Sequence, residues 1–183
     1  MRQARRHGLT LSIYVNTRGF AFVVFEGHLS PFDWGIREIR GPRKRKGCLT
    51  RITQIVDRYA PDTLVIQDTS AQGTQRARWI TALNASIAAL AKDRDIPAFA
   101  YSREQVRVAF ERYECPNKHS LAELIAKHIP ALERYVPPPR KPWMSEDRRM
   151  GLFDAAALGL VFFHKAGDST QFPQQPPSPL TKR

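Results

Sequence analysis

An apolar run that ends on an amide and an acid is the first place where side chains of this sequence could do chemistry. Residues 64–66 have the continuous apolar character of a strand covered on both faces, and Gln67 and Asp68 follow directly. In an open α/β sheet, ligands bind at the carboxyl end of such strands. Successive strand side chains point to opposite faces, so a regular strand can turn only one of the two toward a site. Either the backbone turns and Asp68 becomes the site residue, or Gln67 faces the site and Asp68 caps the loop at 69–70. We favour the second.

A second group of acids lies near the end of the chain, in the segment 145–165, whose apolar spacing predicts a helix. Asp147 and Asp154 are seven residues apart and would share one helical stripe. Asp154 stands inside "GLFDAAALGL", where burying a carboxylate without a partner is unfavourable, so we predict a site residue. The alternative is a core acid bonded to the backbone or to an arginine. Glu146 and Asp147 are also explained as first-turn acids that complement the helix dipole.

Basic residues supply the third chemical signal. The 183 residues carry 29 Lys and Arg against 17 Asp and Glu, a net charge of +12 that favours anionic partners, nucleic acid above all. The alternative is a solvated basic surface. We expect several of these cations to flank one end of the sheet and follow phosphates. The candidate nucleic-acid-binding residues are Arg40, Arg43, Lys44, Arg45, Lys46, Arg76, Arg78, Lys118, Arg140, Lys141, Arg148 and Arg149. Trp79 and Trp143 could stack on bases, but we expect both to be packing residues.

Composition narrows the class of protein further. The two cysteines form no metal-binding or redox motif, which favours a reducing compartment and argues against structural zinc. No apolar stretch approaches the roughly 18 residues of a membrane span. The basic start, residues 1–8, lacks the apolar core of a signal peptide. We therefore expect a cytoplasmic protein with one globular domain at 9–165, preceded by a basic arm and followed by a disordered Pro- and Gln-rich tail at 166–183.

The elements that must position these residues are read from local patterns. Strand patterns occupy the ranges 9–15, 19–27, 32–41, 63–67 and 96–102. Helical patterns occupy 48–60, 76–95, 102–112, 120–129 and 145–165. Ser102 and Ser120 are the predicted N-caps of two of these helices, the second with Glu123 in a capping box. The segment 42–47 is predicted to be a basic loop, and 137–143 a stiff extended connector.

Three strands in a meander followed by helix, strand, helix, strand and helices resemble the ribonuclease H-like fold, and within it the RuvC-like Holliday junction resolvases. The resemblance covers residues 9 to 164 and rests on the element order together with "LVIQDT", "NKHSLAELIA" and "SEDRRMGLFDAAALGL". The predicted fold class is therefore α/β, with a mixed five-stranded sheet flanked by helices.

The resemblance implies cleavage of phosphodiesters by two Mg²⁺ or Mn²⁺ ions. Such ions are held by carboxylates from the end of the first strand, the end of the fourth strand and the last helix. This chain departs from that pattern, because Asn16 is the only candidate on the first strand and Gln67 stands where the acid of the fourth strand is expected. The candidate catalytic residues are Asp154, Asp68, Gln67 and Asn16. The candidate metal ligands are Asp154, Asp147 and Asp68.

Three hypotheses about function follow. The first is a nucleic-acid-binding protein of this fold with an attenuated or inactive metal site, binding DNA in preference to RNA. The alternative is an active Mg²⁺- or Mn²⁺-dependent endonuclease on branched DNA. The third is a basic structural protein of a larger nucleoprotein assembly. A homodimer is left open, and no membrane contact is expected.

Overall fold

A computed structural model describes residues 8–70 and 78–167 of the chain. Arg76 and nearly all of the predicted N-terminal arm and C-terminal tail lie outside the described residues. Within the described ranges, no helix has the length and apolar character needed to cross a membrane.

The strands form one mixed sheet. They are β1 (Thr10–Asn16), β2 (Gly19–Gly27), β3 (Ser30–Glu38), β4 (Thr63–Gln67) and β5 (Ala98–Tyr101). Their spatial order is β3-β2-β1-β4-β5. The first three strands pair antiparallel, whereas β4 runs parallel to β1 and β5 runs parallel to β4. The predicted α/β class with a mixed five-stranded sheet is confirmed.

The helices cover both faces of the sheet. They are α1 (Lys44–Tyr59), α2 (Arg78–Asp93), α3 (Arg103–Phe110), α4 (Lys118–His128) and α5 (Met150–Lys165), with short 3₁₀ helices at Glu111–Tyr113 and Pro130–Tyr135. One core cluster joins α1 and α2 to the sheet through Ile13, Phe22 and Ile52. The other joins α3, α4 and α5 to the opposite face through Val23 and Phe153.

Helix α5 is apolar on almost every side because it lies directly on the sheet with other helices beside it. Ser12 Oγ on β1 donates to the carbonyl oxygen of Ala155 at 2.5 Å. A Cβ added at Gly159 would clash with the Phe25 ring, so only glycine permits this close approach. The chain thereby places the middle of α5 over β1 and β2.

Several predicted boundaries are wrong, and local hydrogen bonds explain one of them directly. Helix α4 starts at Lys118 because Asn117 is its N-cap: Asn117 Oδ1 accepts from Ser120 N and Ser120 Oγ accepts from Asn117 N. The predicted capping box of Ser120 with Glu123 is therefore incorrect. Helix α1 begins four residues early, at Lys44, so much of the predicted basic loop is helical. The N-cap at Ser102 is confirmed.

Candidate nucleic-acid interface and acid cluster

The candidate site lies at one edge of the sheet. Strands β1, β4 and β5 run parallel, and β3 runs the same way because it and β1 are both antiparallel to β2. Their carboxyl ends therefore meet beside the β1–β2 turn at 17–18, and we call this end of the molecule the carboxyl edge. Ile39 N donates to Arg18 O at 2.9 Å, and Lys44 Nζ donates to Thr17 O at 2.5 Å. These bonds bring the start of α1 to the same edge.

Gln67 turns its side chain toward the α5 layer. Ile13 of β1 is paired with Ile66 of β4, and both belong to the core on the α1 and α2 face. Tyr14 and Gln67, each one residue later, consequently point to the opposite face. Gln67 is only 6% exposed, and within the described part of the chain its Oε1 accepts no hydrogen bond. A buried amide therefore faces the site where the resemblance implies an acid.

Asp68 caps the loop that follows β4. Its Oδ1 accepts hydrogen bonds from Ser70 N at 2.8 Å and from Ser70 Oγ at 2.6 Å. These bonds, the hydroxyl one first, lower the pKa of the Asp68 carboxyl below its usual value because they stabilise the ionised form. The geometry matches the favoured interpretation of this strand end, in which Asp68 is a loop residue.

Asn16 is a turn residue. Its Oδ1 accepts from Arg18 N at 2.9 Å and from Gly19 N at 3.1 Å, so the amide oxygen that could ligate an ion is used by the hairpin. The β1 side chain that does lie near acids of the carboxyl edge is Tyr14, which lines the same cleft as Glu146 and Asp147. Tyr14 was not predicted as a site residue because only carboxylate and amide side chains were considered as metal ligands on this strand. Strict alternation nevertheless places Tyr14 and Asn16 on the same face of β1.

Lys118 lies at the centre of the acid cluster. Its Nζ is 2.9 Å from Asp154 Oδ2, 2.9 Å from Glu146 Oε1 and 5.5 Å from the centroid of the Tyr14 ring. The side chains of Lys118 and Asp154 are 33% and 16% exposed. Burial alone lowers the pKa of Lys118, but the neighbouring negative groups, Asp154 foremost, outweigh it and raise the pKa above its usual value. The ammonium group therefore stays charged and joins α4, α5 and the segment before α5.

This arrangement revises the expectations for these residues. Lys118 was predicted as a phosphate contact, yet the structure pairs it with carboxylates. Asp154 is a partly buried acid with a charged partner, Lys118, whereas an arginine or a backbone group was considered from sequence. Glu146, explained from sequence by the helix dipole, belongs to the cluster because the chain before α5 folds back toward α4.

Asp147 does not share a helical stripe with Asp154, because α5 begins only at Met150. Its carboxylate accepts from Arg149 N at 2.9 Å, from Arg149 Nε at 3.0 Å and from Arg149 Nη2 at 2.8 Å. These hydrogen bonds lower the pKa of the Asp147 carboxyl to about 2. Asp147 is therefore a structural acid of this turn, and the predicted stripe is wrong.

The Asp147–Arg149 pair should make stability depend on pH in the acid range. Because the folded pKa of about 2 lies below the usual 3.8, the ionised pair contributes fully above pH 3.8 and its contribution is lost as the pH falls toward 2. Asp147→Asn should lower the free energy of unfolding at pH 7 by at most about 1 kcal/mol, because both side chains are about one-third exposed and solvent screens the pair. That difference should vanish near pH 2 in urea titrations. Arg149→Met should behave the same way. A loss of unfolding free energy that does not depend on pH would contradict the assignment of Asp147 and Arg149 as an ion pair.

The acid cluster does not fit a pair of divalent ions. Mg²⁺ and Mn²⁺ need several oxygen ligands, and two ions need more carboxylates than one. Over residues 8–70 and 78–167, no group of three or more His, Cys, Asp or Glu side chains lies close enough to hold a metal ion. Asp154 and Glu146 share one ammonium group, Asp68 bonds Ser70, and Asp147 bonds Arg149. The residues present thus disagree with the metal site that the resemblance implies.

Two adjoining clefts open at the carboxyl edge. The main cleft, of about 680 Å³, is lined by Tyr14, Arg103, Lys118 and Arg140 among others. The side cleft, of about 530 Å³, lies between Arg18 and the segment 144–149. Both include Glu146 and Asp147. Arg18 and Arg103 were missed from sequence, although the β1–β2 turn and the start of α3, just after β5, must lie at this edge once the strand order is known.

The predicted basic residues differ in their exposure to solvent. Those exposed to solvent are Arg40, Arg43, Arg45, Lys46, Arg78, Arg140, Lys141 and Arg148. Lys44 is half-buried, bonded to Thr17 O, and its Nζ lies 5.0 Å from the centroid of the Trp79 ring. Arg149 pairs with Asp147. Trp143 is 79% exposed, so the expectation that it packs in the core is wrong.

Comparison with known proteins supports the fold. No protein-family model matches the sequence, and no curated protein matches it. The structure is similar to RuvC of Thermus thermophilus, with a TM-score of 0.62 and 17% identity over 87% of this chain and 97% of that chain. The same enzyme in complex with a Holliday junction substrate gives a TM-score of 0.63 and 18% identity, over 88% of this chain and 98% of that chain. For the yeast mitochondrial Holliday junction resolvase Ydc2, the TM-score is 0.60 and the identity 12%, over 91% of this chain and 82% of that chain. The predicted RuvC-like, ribonuclease H-like fold is confirmed.

Proposed function

We propose that this protein binds branched or structured DNA at its carboxyl edge and does not cut it by a metal-dependent reaction. The observation that carries the proposal is the position of Lys118 Nζ, 2.9 Å from both Asp154 and Glu146. The two carboxylates that converge there already share one cation of the chain itself. A divalent ion would have to displace that ammonium group and would then find few further anionic oxygens.

The DNA-binding part of the proposal rests on charge and fold. Exposed arginines and lysines surround the carboxyl edge, from the β1–β2 turn to the start of α1 and the segment before α5. Such a surface follows phosphates without reading sequence. A RuvC of the same fold has been captured with a Holliday junction substrate, which makes a four-way junction the first ligand to test.

The alternative, an active endonuclease on branched DNA, requires the protein to bind two ions through other groups. Gln67 and Asn16 can offer only amide oxygens, and that of Asn16 is used by the turn. Assays of junction cleavage by the wild type and by variants of the strand end distinguish this alternative from the binding module.

Binding should depend steeply on salt and involve the start of α1. The Arg43→Ala, Arg45→Ala, Lys46→Ala triple variant should reduce the slope of log affinity against log salt by roughly 2 to 3, about 0.9 for each phosphate that is no longer neutralised. Lys44 is left intact because it holds the β1–β2 turn. The measurement is fluorescence anisotropy with a labelled four-way junction at a series of salt concentrations. In a separate incubation with Mn²⁺, the junction should be recovered uncut.

A matched control removes three charges from the opposite end of the molecule. Arg58, Lys92 and Lys127 lie in the last turns of α1, α2 and α4, away from the carboxyl edge. Changing these three to alanine should leave the salt slope close to that of the wild type. Equal losses in both triple variants would show that only net charge matters and would remove the start of α1 from the interface.

A further inference from the structure

Trp143 is the most exposed large hydrophobic residue in the described part of the chain. Its exposure of 79% exceeds that of Phe32, at 56%, and Met144 beside it is 45% exposed. An exposed indole leaves a large apolar area in water, which is unfavourable for the isolated protein. Adjacent exposed apolar side chains with a polar rim are typical of a binding surface.

The turn that carries Trp143 is held in place. Met144 N donates to Lys141 O at 3.0 Å and closes the turn, while Arg140 Nε donates to Met144 O. The preceding connector is anchored at Pro137, which is buried and whose carbonyl oxygen lies 2.9 Å from His119 Nε2. The indole is thus presented to solvent on a fixed turn, which limits the entropy lost when a ligand stacks on it.

The turn lies at the border of the two clefts of the carboxyl edge. Arg140, on one side of it, lines the main cleft, and Met144, on the other side, lines the side cleft. Lys141 Nζ lies 5.5 Å from the centroid of the Trp143 ring, and Arg148 and Arg18 line the side cleft. An exposed aromatic ring with one cation beside it and others lining the adjacent cleft matches a nucleotide, whose base is flat and apolar on its faces and whose phosphate is anionic.

We infer that Trp143, with Met144 beside it, is a stacking platform for an unpaired nucleotide base, at a branch point or in a single-stranded segment. The inference rests on the proposed nucleic-acid binding and names the part of the ligand that the turn recognises. Bases inside a duplex are stacked on their neighbours and have no free face to offer. The platform therefore gives the protein a preference for branched or single-stranded DNA over duplex DNA, which its basic surface alone would not provide.

The test compares Trp143→Ala and Trp143→Phe with the wild type on three labelled DNAs: a single strand, a four-way junction and a blunt duplex. Trp143→Ala should weaken binding to the single strand and the junction by roughly tenfold, within the range for loss of one stacked base, and binding to the duplex by less than about twofold. Trp143→Phe should retain most of the affinity because it keeps an aromatic face. Intrinsic tryptophan fluorescence of the wild type should be quenched by the single strand, and Trp143→Phe should lose most of that quenching while still binding.

The matched control is Phe32→Ala. Phe32 is an exposed aromatic residue whose ring contacts Tyr59 at the end of α1, away from the carboxyl edge. This variant should bind all three DNAs as the wild type does. Unchanged binding by Trp143→Ala, or an equal loss on the duplex, would overturn the inference while leaving the proposed function intact. If the wild type bound none of the three DNAs, the proposed function would fail and the inference with it.

Discussion

Replacing Lys118 with methionine should destabilise the protein in metal-free buffer and should create a response to Mn²⁺ that the wild type lacks. The substitution leaves the carboxylates of Asp154 and Glu146 without the ammonium group that lies 2.9 Å from each. Breaking a buried ion pair costs about 3–5 kcal/mol, and we expect about 2 kcal/mol here because Lys118 is one-third exposed. Urea denaturation at neutral pH measures this difference directly.

Addition of Mn²⁺ should restore part of the stability of Lys118→Met. Without the ammonium group, two carboxylates remain in a partly buried position, and a divalent ion that binds only the folded state stabilises it by mass action. The wild type should show little change in the same titration because its own cation already occupies the position. Asp154→Asn in the Lys118→Met background should abolish the Mn²⁺ response.

The control for ion-pair loss in general is Arg107→Met. Arg107 pairs with Glu104 in α3 and with Glu111 just after it, on an exposed face where such pairs contribute little to stability. This variant should be close to the wild type in stability and should not respond to Mn²⁺. If the wild type were stabilised by Mn²⁺ as strongly as Lys118→Met, Lys118 would not be competing with a metal, and the active-endonuclease alternative would gain support.

Adding acids at the carboxyl edge should convert this site into a metal site. Gln67→Glu places a carboxylate on the face of β4 that points toward α5, on the strand next to Tyr14. Combined with Tyr14→Asp, it would give three carboxylates with Asp154. We expect the double variant to bind Mn²⁺ at least about tenfold more tightly than the wild type, a difference of about 1.4 kcal/mol. Isothermal titration calorimetry measures the affinity, and circular dichroism with Mn²⁺ present checks that the fold is kept.

Asn16→Asp is the matched control for added charge. It places a new carboxylate at the end of the same strand as Tyr14, but the Oδ1 of Asn16 is bonded to the N–H groups of the hairpin turn. We therefore expect Mn²⁺ affinity to change much less with Asn16→Asp than with Gln67→Glu. Equal gains from the two single changes would show that net charge near the edge, and not the face of the strand, determines metal binding.

An assay of four-way junction cleavage tests whether Gln67 or Asp68 occupies the site at the end of β4. The wild type should produce no product with Mg²⁺ or Mn²⁺, and neither Asp68→Asn nor Gln67→Glu alone should create one. Cleavage need not appear even in the Tyr14→Asp, Gln67→Glu double variant, because groups that position the attacking water and the DNA must also be in place. Efficient cutting by the wild type that Asp68→Asn abolishes would contradict our account of the strand end and would make Asp68 the ligand.

Local patterns in the sequence correctly predict the order of strands and helices and the mixed sheet. Strands β2 and β4 begin and end where the apolar runs do, and the mixed sheet follows from a short hairpin link and two helical crossovers. Alternation along β4 also favoured Gln67 as the residue that faces the site and Asp68 as the loop cap. The strand bounds, the hairpin link and the facing of these side chains depend on neighbours a few residues apart, so the sequence alone is enough to predict them.

Only the tertiary structure shows which residues form the acid cluster around Lys118. Lys118 and Asp154 are separated by 36 residues, and their pairing depends on how α4 packs beside α5. The start of α5 at Met150 removed Asp147 from the predicted stripe, and the turn at 141–144 left Trp143 in solvent. Periodicity shows which face of an element is apolar. It does not show which opposite charge the folded chain brings within hydrogen-bonding distance, and that distance determines whether a carboxylate is a metal ligand or half of an ion pair.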